Sequence, residues 1–127
     1  MTALLIALGG ALGSLARYGL SEALARTLGP AFPWGTLLVN VTGCLLIGAV
    51  AGGSWNDARL IESPAVRQFV MVGICGGYTT FSAFSLQTVG MLQAGDALRA
   101  GAYVAASLFT CLLATWAGYA AAAALAR

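Results

Sequence analysis

The chain has 127 residues, of which 60% belong to the apolar types Ala, Val, Ile, Leu, Met, Phe, Trp, Tyr and Cys and 8% are charged, for a net charge of +2. A soluble domain carries about 25% charged residues, and a chain this short cannot hide so much apolar surface in its own core. The composition therefore excludes an ordinary soluble domain, and the weak, scattered charge excludes a nucleic-acid-binding surface.

Apolar segments long enough to cross a membrane, which takes about 20 residues, account for nearly the whole chain. The first segment lacks the basic residues that begin a signal peptide, so we interpret it as a retained span. We predict an all-α integral membrane protein in which residues 1–127 form one four-span domain. The predicted spans run from about Thr2 to Leu28, Trp34 to Gly53, Ala65 to Leu92 and Ala97 to Leu125.

Four spans would place both termini on one side of the membrane, so the flanking arginines can be compared by side. Arg59, Arg67 and Arg127 lie on the side of the termini, and Arg26 and Arg99 lie on the other. Orientation follows an excess of basic residues, so this near balance predicts insertion in both orientations and makes an antiparallel homodimer feasible. The alternative is that one basic residue, or the N-terminal amine, fixes a single orientation.

Polar groups inside the spans are the candidates for function, because they are costly in hydrocarbon unless they are paired or used. In span 1 the charges nearest the interior are Arg17 and Glu22, and no acidic residue is central to any span. A proton-coupled exporter needs an embedded carboxylate to exchange protons for its substrate. The sequence therefore disfavours that class of transporter.

Span 2 carries an asparagine at its middle. Thr36, Asn40 and Gly43 follow one another at i, i+4 and i+7, so they share one helix face. The Asn40 amide offers two N–H donors, which would suit an anion. The alternative is an interhelical hydrogen bond that holds the bundle together, worth about 1 kcal/mol.

Span 3 contains a poor helix interior, Gly76-Gly77-Tyr78-Thr79-Thr80. Glycine and β-branched threonine both have low helix propensity, so we predict that the helix breaks there. Broken backbone at membrane depth survives only where protein buries it or where it lines a cavity, and the carbonyls that end the first half-helix would attract a cation. The alternative is a packing notch of small residues.

Two phenylalanines follow the predicted break. Phe81 and Phe84 are spaced i, i+3 and so lie on one face. The edge of an aromatic ring is electropositive, so these edges could contact a small anion without carrying charge. The alternative is that both rings face lipid or pack against other helices.

Span 4 carries hydroxyls at i, i+4 and i+7, on Tyr103, Ser107 and Thr110. This spacing predicts a stripe that could donate to an anion along a narrow path. Equally, Ser and Thr hydroxyls often bond to carbonyls of their own helix.

The cysteines, Cys44, Cys75 and Cys111, lie in three different apolar segments without Cys-x-x-Cys spacing. We interpret them as small packing residues. Since the chain also has no histidine, a zinc or haem site is disfavoured.

Three stretches of the chain together resemble the Fluc/CrcB family of fluoride channels, in order, spacing and total length. The third of them is the most specific to that family. They are Gly9–Tyr18 (GGALGSLARY), Pro33–Gly43 (PWGTLLVNVTG) and Gly76–Ser85 (GGYTTFSAFS).

The resemblance implies a multi-pass protein of the inner or plasma membrane that forms a dual-topology homodimer and lets fluoride leave the cytoplasm passively. It implies two fluoride pores per dimer and a structural Na⁺ at the dimer centre, held by the backbone carbonyls of Gly76 and Thr79. By motif position, Arg17 would be a structural or anion-attracting charge. The implied pore residues are Asn40, Phe81 and Phe84, with Tyr103 and Ser107 on the span-4 track and Thr36 at the vestibule.

Two positions depart from the family pattern. Ala83 stands where the family often has Thr, and Cys111 stands one turn beyond Ser107, where relatives can have Ser. A thiol is a weak donor, so the far end of the polar track differs here. Two other functions are compatible with four apolar spans: a small multidrug-type exporter, against which the missing central carboxylate argues, and a non-transporting membrane subunit.

Overall fold

The computed structural model describes residues 1–55 and 63–125, and in these ranges all regular secondary structure is helical. The centre of the predicted second connection, with Arg59, and the C-terminal Arg127 lie outside the described residues. The helices are α1 (Thr2–Leu28), α2 (Trp34–Trp55), α3 (Pro64–Gln68), a π-helical segment (Phe69–Cys75), α4 (Gly76–Tyr78), α5 (Phe81–Gln93) and α6 (Ala97–Leu125).

These helices form four membrane-spanning candidates, as predicted. The first and last spans agree with the sequence prediction at both ends, and the second runs from Trp34 to Gly53. The third, Pro64–Gln93, comprises α3, the π-helical segment, α4 and α5. The chain is therefore an all-α protein whose helices are long and apolar enough to cross a membrane.

Local chemistry fixes where the spans end. Gly29 ends α1 with a φ of 81°, and Gly95 lies in the turn between α5 and α6 with a φ of 80°. Both values lie in the left-handed region, which glycine adopts without steric cost. The Asp96 carboxylate accepts a hydrogen bond from the Arg99 N–H at 3.1 Å and so caps α6. Arg99 Nη1 also donates to the carbonyl of Ala31 at 3.0 Å, which joins the start of α6 to the connection between α1 and α2.

Span 3 breaks where the sequence predicts it. Thr79 and Thr80 are both extended, with φ, ψ of −79°, 158° and −153°, 113°, between the helical turns on either side. The π-helical segment just before the break was not predicted. Such wide turns are rare and occur often at functional sites.

The parallel helices α2 and α6 pack most extensively of all pairs. Gly48 lies against the Thr115 carbonyl, and one turn further along each helix Gly52 lies against the Tyr119 carbonyl. Missing side chains allow the two backbones to touch, as in other membrane helix pairs. A similar close approach, of Gly77 to the Gly10 carbonyl, holds α1 against span 3.

Candidate functional site

A cavity of about 390 Å³ lies beside the break, between α2, span 3 and α6. It brings together most of the site residues that the family resemblance implies, and three of those residues lie outside its lining: Thr36, Tyr103 and Arg17. The predicted residues that line it are Asn40, Gly76, Thr79, Phe81, Phe84 and Ser107.

Asn40 pairs with the backbone of the break. Its Nδ2 donates to the Thr80 carbonyl at 3.0 Å, and its Oδ1 accepts from the Thr80 N–H at 2.7 Å. Asn40 thus makes the interhelical bonds that were the alternative interpretation of this residue, and it also faces the cavity. An amide has two N–H donors, so one remains for another acceptor.

These bonds release particular carbonyls. In a continuous helix the N–H of Thr80 would bond to the Gly76 carbonyl, and that of Ala83 to the Thr79 carbonyl. Instead the Thr80 N–H donates to Asn40, and the Ala83 N–H donates to Thr80 Oγ1 at 3.2 Å, capping α5. The carbonyls of Gly76 and Thr79, which the family resemblance implies as cation ligands, are therefore among those left without their helical partners. The carbonyls of Gly77 and Tyr78 lose theirs as well, because the first N–H groups of a helix make no intrahelical bond.

Helix α1 reaches the break through two polar side chains. Arg17 Nη1 donates a long hydrogen bond of 3.5 Å to the Thr79 carbonyl, and Ser14 Oγ donates to the Gly77 carbonyl at 3.4 Å. Arg17 therefore places a positive charge next to the released carbonyls. Its role as a structural charge stays a prediction that this contact supports.

The two phenylalanines lie side by side in different surroundings. Their ring centroids are 5.3 Å apart at an interplanar angle of 51°. Phe84 is buried at 8% exposure and packs on Tyr103, whereas Phe81 is 74% exposed at the rim of the cavity. In this single chain Phe81 lacks the protein cover that Phe84 has.

The hydroxyl stripe of span 4 is only partly as predicted. Tyr103 and Ser107 are buried, and Ser107 Oγ has no hydrogen-bond partner among the described residues. Thr110 is exposed and donates to the carbonyl of Ala106 at 2.6 Å, which is the alternative interpretation of these hydroxyls, a bond to their own helix. Helix α6 contacts α2 through positions four residues apart. This row of positions winds gradually around the helix, so Thr110 lies to one side of it.

Gln87, which was not predicted, joins two predicted residues. Gln87 Nε2 donates to Thr36 Oγ1 at 2.9 Å, and the Tyr103 hydroxyl donates to Gln87 Oε1 at 2.8 Å. Thr36 and Gln87 line a second cavity of about 420 Å³, with Glu22 on its wall. An uncharged polar side chain inside an apolar span was the signal that could have found it.

Helices α2 and α6 face each other through a series of residue pairs, here called the ladder, that continues from the glycine contacts toward the N-terminal end of both helices. Moving four residues toward the N-terminus at each step from Gly48 and Thr115, the pairs are Cys44 with Cys111, Asn40 with Ser107, and Thr36 with Tyr103. Cys44 and Cys111 are neighbours across the two helices, and Gln87 bridges Thr36 and Tyr103. All three cysteines of the chain line the first cavity, although they come from different spans.

Comparison with known proteins gives consistent matches over most of the chain. The family described as CrcB-like protein, Camphor Resistance (CrcB), matches residues 4–119. A "Fluoride-specific ion channel FluC" of Rhodospirillum rubrum is 50% identical over 94% of this chain and 92% of its own length. Proteins with the same name from Opitutus terrae and Methylocella silvestris are 51% and 44% identical, over 96% and 98% of this chain and 92% and 95% of their own lengths.

Proposed function

This chain belongs to the CrcB-like protein family, and we propose that it is a fluoride-specific channel whose ion path runs through the cavity beside the span-3 break. It is a multi-pass membrane protein and not an enzyme. Its relatives are fluoride-specific ion channels by name and match it over nearly their whole lengths. Transport is passive, so fluoride accumulated in the cytoplasm drains outward.

The observation that carries the ion path is the convergence of uncharged donors on one cavity. Asn40 has a second N–H available, Ser107 has a buried hydroxyl without a partner among residues 1–55 and 63–125, and the Phe84 ring lines the same cavity. A small, tightly hydrated anion must exchange its water for such donors. Because none of them is charged, the ion is not held so tightly that it cannot leave.

The two helix ends at the break present groups of opposite polarity, N–H groups on one side and carbonyls on the other. Helix α5 begins at Phe81, beside the cavity, and N–H groups at a helix start favour an anion. The carbonyls of Gly76 and Thr79 end the preceding half-helix and favour a cation. This arrangement supports an anion path along α5 and a separate cation site behind it.

Thr36 and Tyr103 border the path at its outer end, where Gln87 connects them. Tyr103 is fully buried and its hydroxyl is engaged by Gln87. Fluoride that reaches this point meets Thr36 and Gln87 first, since both line the second cavity. We therefore place the vestibule there and the narrow part of the path at Asn40 and Ser107.

The residues at the break fit a structural Na⁺. Hard cations take several oxygen ligands, and the released carbonyls of Gly76 and Thr79 supply two from each chain. A bound Na⁺ would provide a fixed positive charge beneath the broken helix. Two carbonyls are fewer ligands than a hard cation takes, and Arg17 also places a positive charge at Thr79. The ion therefore needs further oxygens from outside this chain.

A second copy of the chain is the natural source of those oxygens and of cover for the break. Gly76 and Phe81 are exposed in the single chain, yet broken backbone does not face lipid. We infer a homodimer that meets at these residues and encloses two pores. The near balance of flanking arginines supports an antiparallel arrangement.

The decisive test of the channel is ion efflux from liposomes that contain the purified protein. We expect fluoride to leave rapidly under its own gradient, without a proton gradient, and chloride to stay. Liposomes from which fluoride does not leave, or from which chloride leaves equally fast, would contradict a fluoride-specific channel.

The sodium and dimer proposals have their own test. Protein purified without Na⁺, in N-methylglucamine salts, should lose thermal stability and fluoride efflux, and added Na⁺ should restore both. Light scattering of the purified protein should give twice the mass of one chain. Na⁺-independent stability would remove the sodium site, and a monomer by light scattering would remove the dimer.

A further inference from the structure

The cysteines of this chain converge on the cavity, although the sequence separates them. Cys44 of α2 and Cys111 of α6 are the pair of the ladder next to Asn40 and Ser107, and the two thiols are neighbours in the same cavity. The register of the two helices places them there independently, since it continues from the Gly48–Thr115 contact. Both thiols line the cavity wall.

We propose that Cys44 and Cys111 form a binding site for a soft, two-coordinate metal cation, with Hg²⁺ as its simplest probe. Thiolates select soft metals, and two neighbouring thiols on facing helices can bind one ion between them. Among residues 1–55 and 63–125, no group of three or more His, Cys, Asp or Glu side chains could hold a metal. The site is therefore suited to a metal that is satisfied by two ligands.

Charge balance favours this metal class inside a membrane. Each thiol loses its proton when the metal binds, so Hg²⁺ and two thiolates form a neutral complex and two protons leave. A neutral complex avoids the cost of a charge in hydrocarbon. The nearby sulfur atoms of Cys75 and Met71, which line the same cavity, add soft surroundings.

The site lies on the ion path, one helical turn from Asn40 and Ser107. This part of the inference rests on the proposed function: a metal clasped between α2 and α6 narrows the cavity and stops fluoride. Metal binding itself does not depend on which ion the protein carries, so the two can be tested separately.

The binding test uses purified protein in detergent with one equivalent of HgCl₂. We expect one bound mercury per chain by intact mass, and two of the three thiols protected from N-ethylmaleimide added in SDS, which also exposes the buried Cys75. Loss of even an outer-shell partner costs about 10- to 100-fold in metal affinity, so Cys44→Ser and Cys111→Ser should each weaken binding at least as much. Cys75→Ser is the matched control and should bind as the wild type does.

Several results would overturn the site. These are wild-type affinity in Cys44→Ser or Cys111→Ser, loss of binding in Cys75→Ser, or no protected thiols in the wild type. Elution profiles of the serine variants show whether each is folded, and a misfolded variant is replaced by the corresponding alanine.

The transport test repeats fluoride efflux with and without HgCl₂, comparing each variant with itself. The wild type and Cys75→Ser should lose most of their efflux, and Cys44→Ser should keep its own rate. Bound mercury with unchanged efflux would overturn closure of the path. Absence of efflux without mercury would contradict the channel instead and leave the metal site to be decided by the binding test.

Discussion

The two halves of the α2–α6 pair differ, although the same helices continue through both. In one half, Gly48 and Gly52 let the backbones touch and no side chain stands between them. In the other half the facing positions carry polar side chains and thiols, and a cavity opens beside Asn40 and Ser107. Close packing of the kind that the glycines provide would leave no cavity there.

The difference separates residues that hold the helices together from residues that serve the ion. The glycine half supplies close packing and fixes the register, and the polar half uses that register to align donors. We therefore expect changes in the glycine half to alter stability and changes in the polar half to alter fluoride transport. Each prediction below tests that division.

The largest effect should come from Asn40→Ala. This change removes both bonds to Thr80 as well as the donor that faces the cavity. Losing two partly buried hydrogen bonds costs about 2–4 kcal/mol, which corresponds to about 100-fold if it falls on the transport barrier. Fluoride efflux from liposomes measures it.

Thr42→Ala is the matched control for Asn40→Ala. Thr42 lies on the same helix but is exposed, and its hydroxyl bonds to the Leu38 carbonyl and the Tyr78 hydroxyl. Its efflux should stay near the wild-type rate. Equal losses in the two variants would mean that any polar residue of this helix matters, and Asn40 would have no special role.

Gly48→Ala should come next, and it should act on stability. A Cβ at this position would meet the Thr115 carbonyl, with Thr115 Cα 3.0 Å away. Overpacking costs about 1–3 kcal/mol, so the protein should unfold at a lower temperature in detergent. The efflux per folded protein should change little.

Gly101→Ala is the corresponding control in α6. Nothing lies within 4 Å of the position of its Cβ, and replacing glycine by alanine in a helix gains up to about 1 kcal/mol. Its unfolding temperature should therefore stay the same or rise. A fall as large as that of Gly48→Ala would show that close contact is not what the glycine half provides.

The sequence was sufficient for the helices and for the break, because both depend on local composition. Long apolar segments ended by Gly and Pro gave the spans, and the run of glycines and threonines before Phe81 gave the break. The π-helical segment Phe69–Cys75 has no such local signal. It could not be predicted because it depends on how span 3 packs on its neighbours.

Most residues of the site were predicted from the sequence, but the hydrogen bonds between them were not. Asn40 was expected at the path, but its two bonds to Thr80 join residues forty positions apart in the sequence. For Thr110 the two interpretations were left open, and its hydroxyl bonds to its own helix because the contact row of α6 follows i, i+4 steps. Gln87 was missed because its partners come from two other helices.

Phe84→Ile should reduce fluoride transport by a smaller amount than Asn40→Ala. An aromatic contact of this kind is worth about 0.5–1.5 kcal/mol, which is up to about tenfold in rate. Phe81→Ile should act similarly if a second chain covers Phe81, although this residue is 74% exposed here. Wild-type efflux in both variants would remove the aromatic role.

The smallest effect, and the sharpest test of the division, should come from Ser107→Ala. Its Oγ is buried without a partner among the described residues, and an unsatisfied hydroxyl costs about 1–3 kcal/mol. Removing it should therefore raise the unfolding temperature, while efflux falls by a few-fold because a donor to the ion is gone. Thr110→Ala, whose hydroxyl already bonds to the Ala106 carbonyl, should not separate the two quantities in this way. A Ser107→Ala variant that is both less stable and fully active would place Ser107 in the packing of the bundle rather than on the ion path.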